Sequence, residues 1–207
     1  MKQQAGAGLS IFTVGHSTHA IEKFVEMLRA HAVQRLVDVR MIPRSRHNPQ
    51  FNKDALRKSL RNRRISYRHM KVLGGLRHTR PLDHARGRPE RFGLAHRPEL
   101  VEGLVEGRPD SPNTGWRNAS FRGFADHMQT PEFSAAVDAL IKLATEKPTA
   151  IMCAEAVPWR CHRSLIADAL TVRGIGVRHI YSPTSAKPHV LAPMAKVSGF
   201  SITYPAA

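Results

Sequence analysis

Apolar residues follow two patterns that alternate along the chain up to about residue 180. Short apolar runs bounded by Gly, Pro or polar residues are typical of buried strands. Between these runs, apolar residues recur at intervals of three and four, as on one face of a helix. The patterns predict strands at 11–14, 35–40, 65–69, 149–153 and 177–180, and helices near 21–28, 53–62, 131–144 and 165–170.

The ends of two helices carry recognisable signals. Ser17 or Thr18 is available to cap the helix near 21–28, because their hydroxyls can accept a backbone hydrogen bond. Thr130 followed by Pro131 is typical of a cap with proline at the first helical position. We therefore expect a helix to begin at Pro131.

Regular patterning is lost between residues 72 and 115, where Gly, Pro, Arg and His dominate. A loop of that length in a compact domain is usually functional or disordered. Strands alternating with helices predict an α/β fold, a mainly parallel sheet with helices on both faces. We expect a flexible N-terminus over 1–10, a single α/β domain over 11–182 with this Arg-rich irregular insertion, and a C-terminal tail over 183–207 that forms an irregular wrap or an edge strand.

Composition narrows the classes of protein. The 207 residues include 32 Lys and Arg against 16 Asp and Glu, which gives a formal net charge of +16. No stretch approaches the ~20 consecutive apolar residues of a membrane span, so we expect a cytoplasmic protein without a membrane partner. Two cysteines cannot form a disulfide scaffold. Arginine binds phosphate and carboxylate through a planar fork of donors, so the charge points to an anionic small molecule or a nucleotide as partner.

Unusual polar residues follow the predicted strands directly. His16 follows the first strand, Asp38 and Arg40 end the second, and Arg44 and Ser45 come shortly after. Ligands bind at the carboxyl ends of the strands in open parallel sheets. We therefore expect one pocket at this edge, to which the strand at 149–153 adds Cys153, Glu155, Arg160, Cys161, His162 and Arg163.

The two thiols differ in their expected reactivity. Cys161 precedes a helix and is flanked by Arg160, His162 and Arg163, so we expect its pKa to be the lower of the two. Cys153 ends a strand, where a free cysteine is often a small buried residue. Either thiol can serve as a nucleophile or a redox group.

Several of the other side chains in the pocket have both a functional and a structural interpretation. Glu155 and His16 can supply acid–base catalysis, or they can order the loops around them. Arg40, Arg44, Arg160 and Arg163 can hold an anion, while Asp38, Ser45 and His162 complete a set of substrate-binding residues. Asp38 beside Arg40 is equally well explained as a structural ion pair.

Three further hypotheses remain open. A strand, a cysteine and a closing arginine suggest sulfur transfer of the rhodanese type, but the loop after Cys153 is long and has no glycine. The thiols and imidazoles are ligand types for zinc or iron, although CxxC spacing is absent, and no cofactor is specified. The stretch from Arg35 to Arg122 holds 18 Arg and 3 Lys against 8 acidic residues, which suits a nucleic-acid-binding accessory protein.

Several motifs occur together, and as a set the chain resembles the domain of unknown function 488 family. The motifs are TVGHST (13–18), VDVR (37–40) with PRS (43–45), NPQFN (48–52), LGG (73–75), WRNASFRG (116–123), MCAE (152–155) and WRCHR (159–163). The resemblance spans roughly residues 11 to 182. It implies a bacterial or archaeal α/β domain without an agreed activity, so it supports the fold and the choice of pocket residues and supplies no reaction.

The leading hypothesis is a small enzyme that acts on a phosphorylated or nucleotide-like substrate. The activity expected is that of a thiol- or carboxylate-dependent hydrolase or transferase. The oligomeric state is not indicated by any pattern in the sequence.

Overall fold

A computed structural model of the chain describes residues 8–75 and 111–206. Residues 1–7 and 76–110 lie outside the described residues, and with them most of the predicted N-terminus and of the predicted insertion. No helix within the described ranges is long and apolar enough to cross a bilayer.

The centre of the fold is a six-stranded sheet in the order β3-β2-β4-β1-β5-β6. The first five strands are parallel, and β6 pairs antiparallel with β5. This confirms the predicted α/β class and its mainly parallel sheet. The strands are β1 (Ser10–Gly15), β2 (Arg35–Asp38), β3 (Ser66–His69), β4 (Thr149–Cys153), β5 (Gly176–Ser182) and β6 (Ser185–Pro188).

Helices cover both faces of this sheet. They are α1 (Ile21–Ala30), α2 (Lys53–Arg61), α3 (Ala119–His127), α4 (Pro131–Glu146) and α5 (Arg163–Thr171). Residues of α1 and α2 pack in one buried cluster with Leu36 and Met152 of the sheet. Residues of α3, α4 and α5 pack in a second cluster with Val37 and Cys153. Successive residues of a strand point to opposite faces, so each central strand contributes to both clusters.

The burial of a strand matches its position in the sheet. All five residues of β4 are buried, whereas β3 at the sheet edge alternates between exposed and half-buried positions.

The predicted cap of α4 is confirmed, because the Thr130 hydroxyl accepts a hydrogen bond from the Phe133 N–H. The expected cap of α1 is wrong, since that helix begins after Ala20, which has no side chain able to accept.

The C-terminal segment is joined closely to the domain. β6 extends the main sheet, and β7 (Lys196–Ser198) pairs with β8 (Ser201–Thr203) in a small hairpin. Tyr204 is fully buried, and its hydroxyl donates to Asp168 of α5 at 2.8 Å. The segment after residue 182 therefore contributes an edge strand and part of the core.

Candidate functional site

Three neighbouring strands end at the same edge of the sheet. In the registers of β1, β4 and β2, Gly15 lies opposite Cys153 and Asp38 lies opposite Met152. The loops that follow these strands carry most of the polar motifs found in the sequence. We call this edge the rim.

The loop between β4 and α5 packs directly against the end of β1. The His16 N–H donates to the Cys153 carbonyl at 2.9 Å. A Cβ placed on Gly15 would lie 2.0 Å from the carbonyl oxygen of Glu155. Only glycine permits that approach, so Gly15 sets the position of the loop that carries Glu155.

Two thiols and one imidazole meet at the base of this loop. His162 Nδ1 lies 3.9 Å from Cys153 Sγ and 3.6 Å from Cys161 Sγ. The three donor atoms all lie within 4.8 Å of one another. We call these residues the Cys–Cys–His cluster; sulfur and imidazole nitrogen are the donors that zinc prefers in proteins.

The backbone fixes the orientation of the imidazole. His162 Nε2 lies 3.1 Å from the carbonyl oxygen of Val39. A carbonyl oxygen only accepts, so Nε2 carries the proton and donates it in this hydrogen bond. Nδ1 therefore presents its lone pair to the two sulfur atoms.

The thiols have opposite pKa shifts. The hydrogen bond from the Cys161 thiol is the largest effect on Cys153, and it lowers the pKa of Cys153 well below its ordinary value. The same interaction and burial raise the pKa of Cys161. The expectation that Cys161 has the lower pKa is therefore wrong: its sulfur is buried and shares its proton with the neighbouring thiol.

The chain after β3 closes over the cluster. A Cβ on Gly75 would lie 2.5 Å from His162 Nδ1, so the backbone passes against the imidazole where a side chain would collide. On the other side, the Phe124 ring of α3 lies 5.0 Å from the His162 ring. The LGG motif therefore has a packing role at the cluster.

A cavity of about 570 Å³ opens above the cluster, and we call it the rim cavity. Its size is in the ordinary range for a small-molecule site. Seven predicted site residues line it: Arg40, Arg44, Cys153, Glu155, Arg160, Cys161 and His162. Sequence reasoning missed Met41, Ile42, Arg46, Gly75, Ser120, Phe121 and Ala154, which line it as well.

Another depression, of about 610 Å³, lies over the outer surface of α1 and the end of α2. Charged residues line it, among them Glu22 and Arg29 of α1 and Arg63, which follows α2. None of the predicted site residues lines this depression. Of these two depressions, only the rim cavity is lined by predicted site residues.

Asp38 and Arg40 form a buried ion pair below the rim cavity. Arg40 donates to both carboxylate oxygens through Nε at 2.9 Å and Nη2 at 2.6 Å. The Tyr67 hydroxyl donates to Asp38 as well, at 2.8 Å, and burial together with this carboxylate raises the pKa of Tyr67. Because Asp38 is fully buried and accepts from these groups, its carboxylate holds the guanidinium in place.

His16 belongs to the same network. Its Nδ1 lies 2.8 Å from the Ser17 carbonyl oxygen, to which it donates, and its Nε2 accepts from Arg40 Nη1 at 3.2 Å. The ring stacks on Phe51, with the ring centres 4.2 Å apart. Burial lowers the pKa of His16, so the ring is neutral with both nitrogens in hydrogen bonds. His16 does not line the rim cavity.

Two other predicted residues shape loops. Ser45 accepts a hydrogen bond from the Asn48 N–H at 3.0 Å. Arg163 is almost fully buried, and its guanidinium donates to the carbonyl oxygens of Val14, Glu155 and Ala156 at 2.8 to 3.0 Å. Neither side chain lines the rim cavity.

A helix that the patterns did not predict supplies one wall. Asn118 caps α3, since its side chain accepts from the N–H groups of Ser120 and Phe121. Ser120 and Phe121 both line the rim cavity. An asparagine before a short run of helix-compatible residues was the available signal for this helix.

A second buried polar network, also absent from the sequence predictions, lies behind β1. His189 donates to Asp168 at 2.7 Å and accepts from His179 at 2.9 Å, and His179 in turn accepts from Thr13 at 2.7 Å. Burial and the neighbouring His189 lower the pKa of His179 to about 4. The network ties the C-terminal segment to β1 and α5.

No curated protein and no solved structure matches this chain. A family profile does match it, over residues 20–103 and 91–170, and its description is Domain of unknown function DUF488. The matched residues include α1, β2, the loops that follow β2 and β4, and the Cys–Cys–His cluster. The chain therefore belongs to the DUF488 family, as its motifs indicated.

Proposed function

We propose that this protein is a small enzyme that acts on a phosphorylated or nucleotide-like substrate bound in the rim cavity. The observation that carries the proposal is the lining of this one cavity. Arginines, a carboxylate and the Cys–Cys–His cluster meet there around a volume of about 570 Å³.

The arginines provide an anion-binding wall. Arg40 is neutralised by Asp38, but Arg44, Arg46 and Arg160 are exposed and form no ion pair with a described residue. Guanidinium groups bind phosphate through paired hydrogen bonds. These three side chains therefore supply the positive charge that a phosphate group requires.

Apolar side chains of the same cavity suit the remainder of a nucleotide. Ile42 and Phe121 line the cavity, and an aromatic ring offers a surface on which a base can stack. Ser120 adds a hydroxyl to the lining. The combination favours a ligand with one anionic end and one flat, apolar end.

The reaction that we propose is hydrolysis or group transfer at the anionic end. The oxygen of a water molecule (hydrolysis) or of an acceptor hydroxyl (group transfer) forms a bond to the phosphorus of the substrate. The bond from phosphorus to the leaving group breaks. Glu155 lines the cavity and takes the proton of the attacking group, which passes on to the leaving group. The Cys–Cys–His cluster forms the reaction centre at the cavity floor.

Titration calorimetry with AMP tests the substrate class. The double variant Arg44→Gln/Arg46→Gln should weaken AMP binding by about tenfold or more, because it removes paired donors to phosphate. The variant Arg57→Gln/Arg61→Gln is the matched control, since it removes equal charge from exposed positions of α2. Equal losses in both variants, or no AMP binding by the native chain, would contradict the proposal.

Salt dependence separates this proposal from nucleic-acid binding. A protein that neutralises several phosphates of DNA or RNA loses affinity steeply on a log–log plot against salt. Phe51 and Phe124 are fully buried, so neither can stack on a base. We expect AMP to bind with a shallow salt dependence, and tight, steeply salt-dependent binding of a single-stranded oligonucleotide would favour the accessory-protein alternative.

Phosphate release from a panel of nucleoside monophosphates tests the reaction. Glu155→Gln should lower the rate by about two to four orders of magnitude, the usual contribution of a general base. Glu22→Gln on the exposed face of α1 is the control and should leave the rate unchanged. Equal rates for Glu155→Gln and the native chain would remove Glu155 from the reaction.

A further inference from the structure

We infer that Cys153, Cys161 and His162 bind one zinc ion whose fourth coordination position opens into the rim cavity. The three donor atoms lie within 4.8 Å of one another at the cavity floor. The use of the open position rests on the proposed function, whereas binding of the ion does not.

The distances suit a tetrahedral site. With zinc–sulfur bonds of about 2.3 Å and zinc–nitrogen bonds of about 2.0 Å, tetrahedral angles separate sulfur from nitrogen by about 3.6 Å. His162 Nδ1 lies 3.6 Å from Cys161 Sγ and 3.9 Å from Cys153 Sγ. Both sulfur–nitrogen distances are therefore within about 0.3 Å of those expected around a bound zinc ion.

The imidazole is already held as a ligand. Its Nε2–H donates to the Val39 carbonyl, so the Nδ1 lone pair is directed at the space between the sulfurs. Metal-binding histidines are usually oriented by such a hydrogen bond from the other ring nitrogen. The glycine at position 75 leaves that space free of a side chain.

Charge balance favours a divalent ion. Cys153 and Cys161 are both almost fully buried, with 8% and 4% of their surfaces exposed. Two thiolates neutralise one Zn²⁺, so the bound site has no net charge to desolvate. Zinc binds the thiolate forms of cysteine, so binding displaces thiol protons and the affinity rises with pH.

The donor count indicates an open position. Among the described residues, the group contains no fourth His, Cys, Asp or Glu. Structural zinc sites have four protein ligands, whereas three ligands leave a position for water or substrate. That position faces the cavity lined by Glu155. In this arrangement the thiols are ligands, and the attacking group of the proposed reaction is a water molecule.

Elemental analysis of the untagged full chain, expressed with added zinc, tests the inference. We expect about one zinc per chain, and less than about a tenth of that in Cys153→Ser/Cys161→Ser or His162→Gln. His47→Gln at an exposed position is the control and should retain the ion. Native chain without zinc above the buffer blank, or variants with as much zinc as the native chain, would overturn the inference.

Cobalt provides a readout that does not depend on the folding of any variant. Co²⁺ added to metal-free native chain should give intense visible bands and a thiolate charge-transfer band, which tetrahedral sulfur ligation produces. A disulfide between the two cysteines in freshly purified protein, or a spectrum of hexa-aqua cobalt, would overturn the inference. Either result leaves the AMP titration unaffected, so failure here is distinct from failure of the proposed function.

Discussion

Arg163 offers the sharpest test of how the rim is built. It is 1% exposed, and its guanidinium donates to three backbone carbonyls, those of Val14, Glu155 and Ala156. Two of these belong to the loop between β4 and α5, and the third belongs to β1. Arg163 therefore fastens the loop to the sheet edge. Arg163→Met keeps an apolar stem of similar length and removes all three hydrogen bonds.

The expected cost follows from these bonds. Hydrogen bonds to charged groups each contribute about 1.5–3 kcal/mol, but the loop carbonyls regain water and the cost of burying the guanidinium disappears. We therefore expect a net loss of about 2–4 kcal/mol in the free energy of unfolding. For a chain of this size, each kcal/mol lowers Tm by about 2–4 °C, so the melting temperature should fall by about 4–16 °C.

Circular dichroism melts at pH 7 measure this change. Arg160→Met is the matched control, because Arg160 is an exposed arginine of the same loop, and surface substitutions usually cost less than about 0.5 kcal/mol. A melting temperature for Arg163→Met within about 2 °C of the native value would refute this account of the loop.

Three further predictions concern the residues around the rim. Asp38→Asn leaves buried Arg40 without its counter-charge and should cost about 3–5 kcal/mol in urea unfolding, whereas Tyr67→Phe should cost about 1 kcal/mol. The pKa of His179 is about 4 in the folded chain and near 6.5 in the unfolded chain. Between these two pH values the unfolded chain binds more protons than the folded chain, so the free energy of unfolding should fall as pH is lowered from about 6.5 to about 4. Gly75→Ala should displace the cluster imidazole and lower zinc content, measured by elemental analysis.

Each of these predictions has a contradicting result. Equal losses for Asp38→Asn and Tyr67→Phe would show that the ion pair contributes no more than the neutral hydrogen bond. His179→Asn should flatten the pH dependence of Tm, and an unchanged profile would assign it to other groups. Gly8→Ala, at a position with no atom near the added Cβ, is the control for Gly75→Ala. Full zinc content in both glycine variants would contradict the packing argument.

The strands and most helices could be predicted because their patterns are local. β4 is buried throughout and α4 carries its own cap, so neighbouring residues alone define both. α3 was missed because its buried face contains polar residues. Asp126 accepts hydrogen bonds from Ser111 and Asn113, and this pairing with a distant segment conceals the periodicity on which the prediction depends.

The rim could be predicted from the rule for parallel sheets, but the direction of each side chain could not. Arg163 stands beside Cys161 and His162 in sequence, yet its guanidinium turns to the loop carbonyls. Likewise, one nitrogen of His16 donates to the Ser17 carbonyl and the other accepts from Arg40. Such choices depend on which carbonyls and carboxylates the fold brings near, and the sequence does not contain that information in local form.

The Cys–Cys–His cluster could not be predicted from the sequence for the same reason. Cys153 and Cys161 lack the spacing of common zinc motifs, and the sequence alone therefore favoured reading them as reactive thiols. A short 3-10 turn at Pro158–Arg160 brings the second thiol back to the end of β4. The imidazole between them is positioned by the carbonyl of Val39, which belongs to another strand end.

A crystal structure of the full chain grown with AMP would show directly whether the rim cavity binds a nucleotide. We expect phosphate density in the rim cavity, held by Arg44, Arg46 and Arg160, with the base beside Phe121. AMP bound elsewhere on the molecule, with the rim cavity holding only solvent, would contradict it.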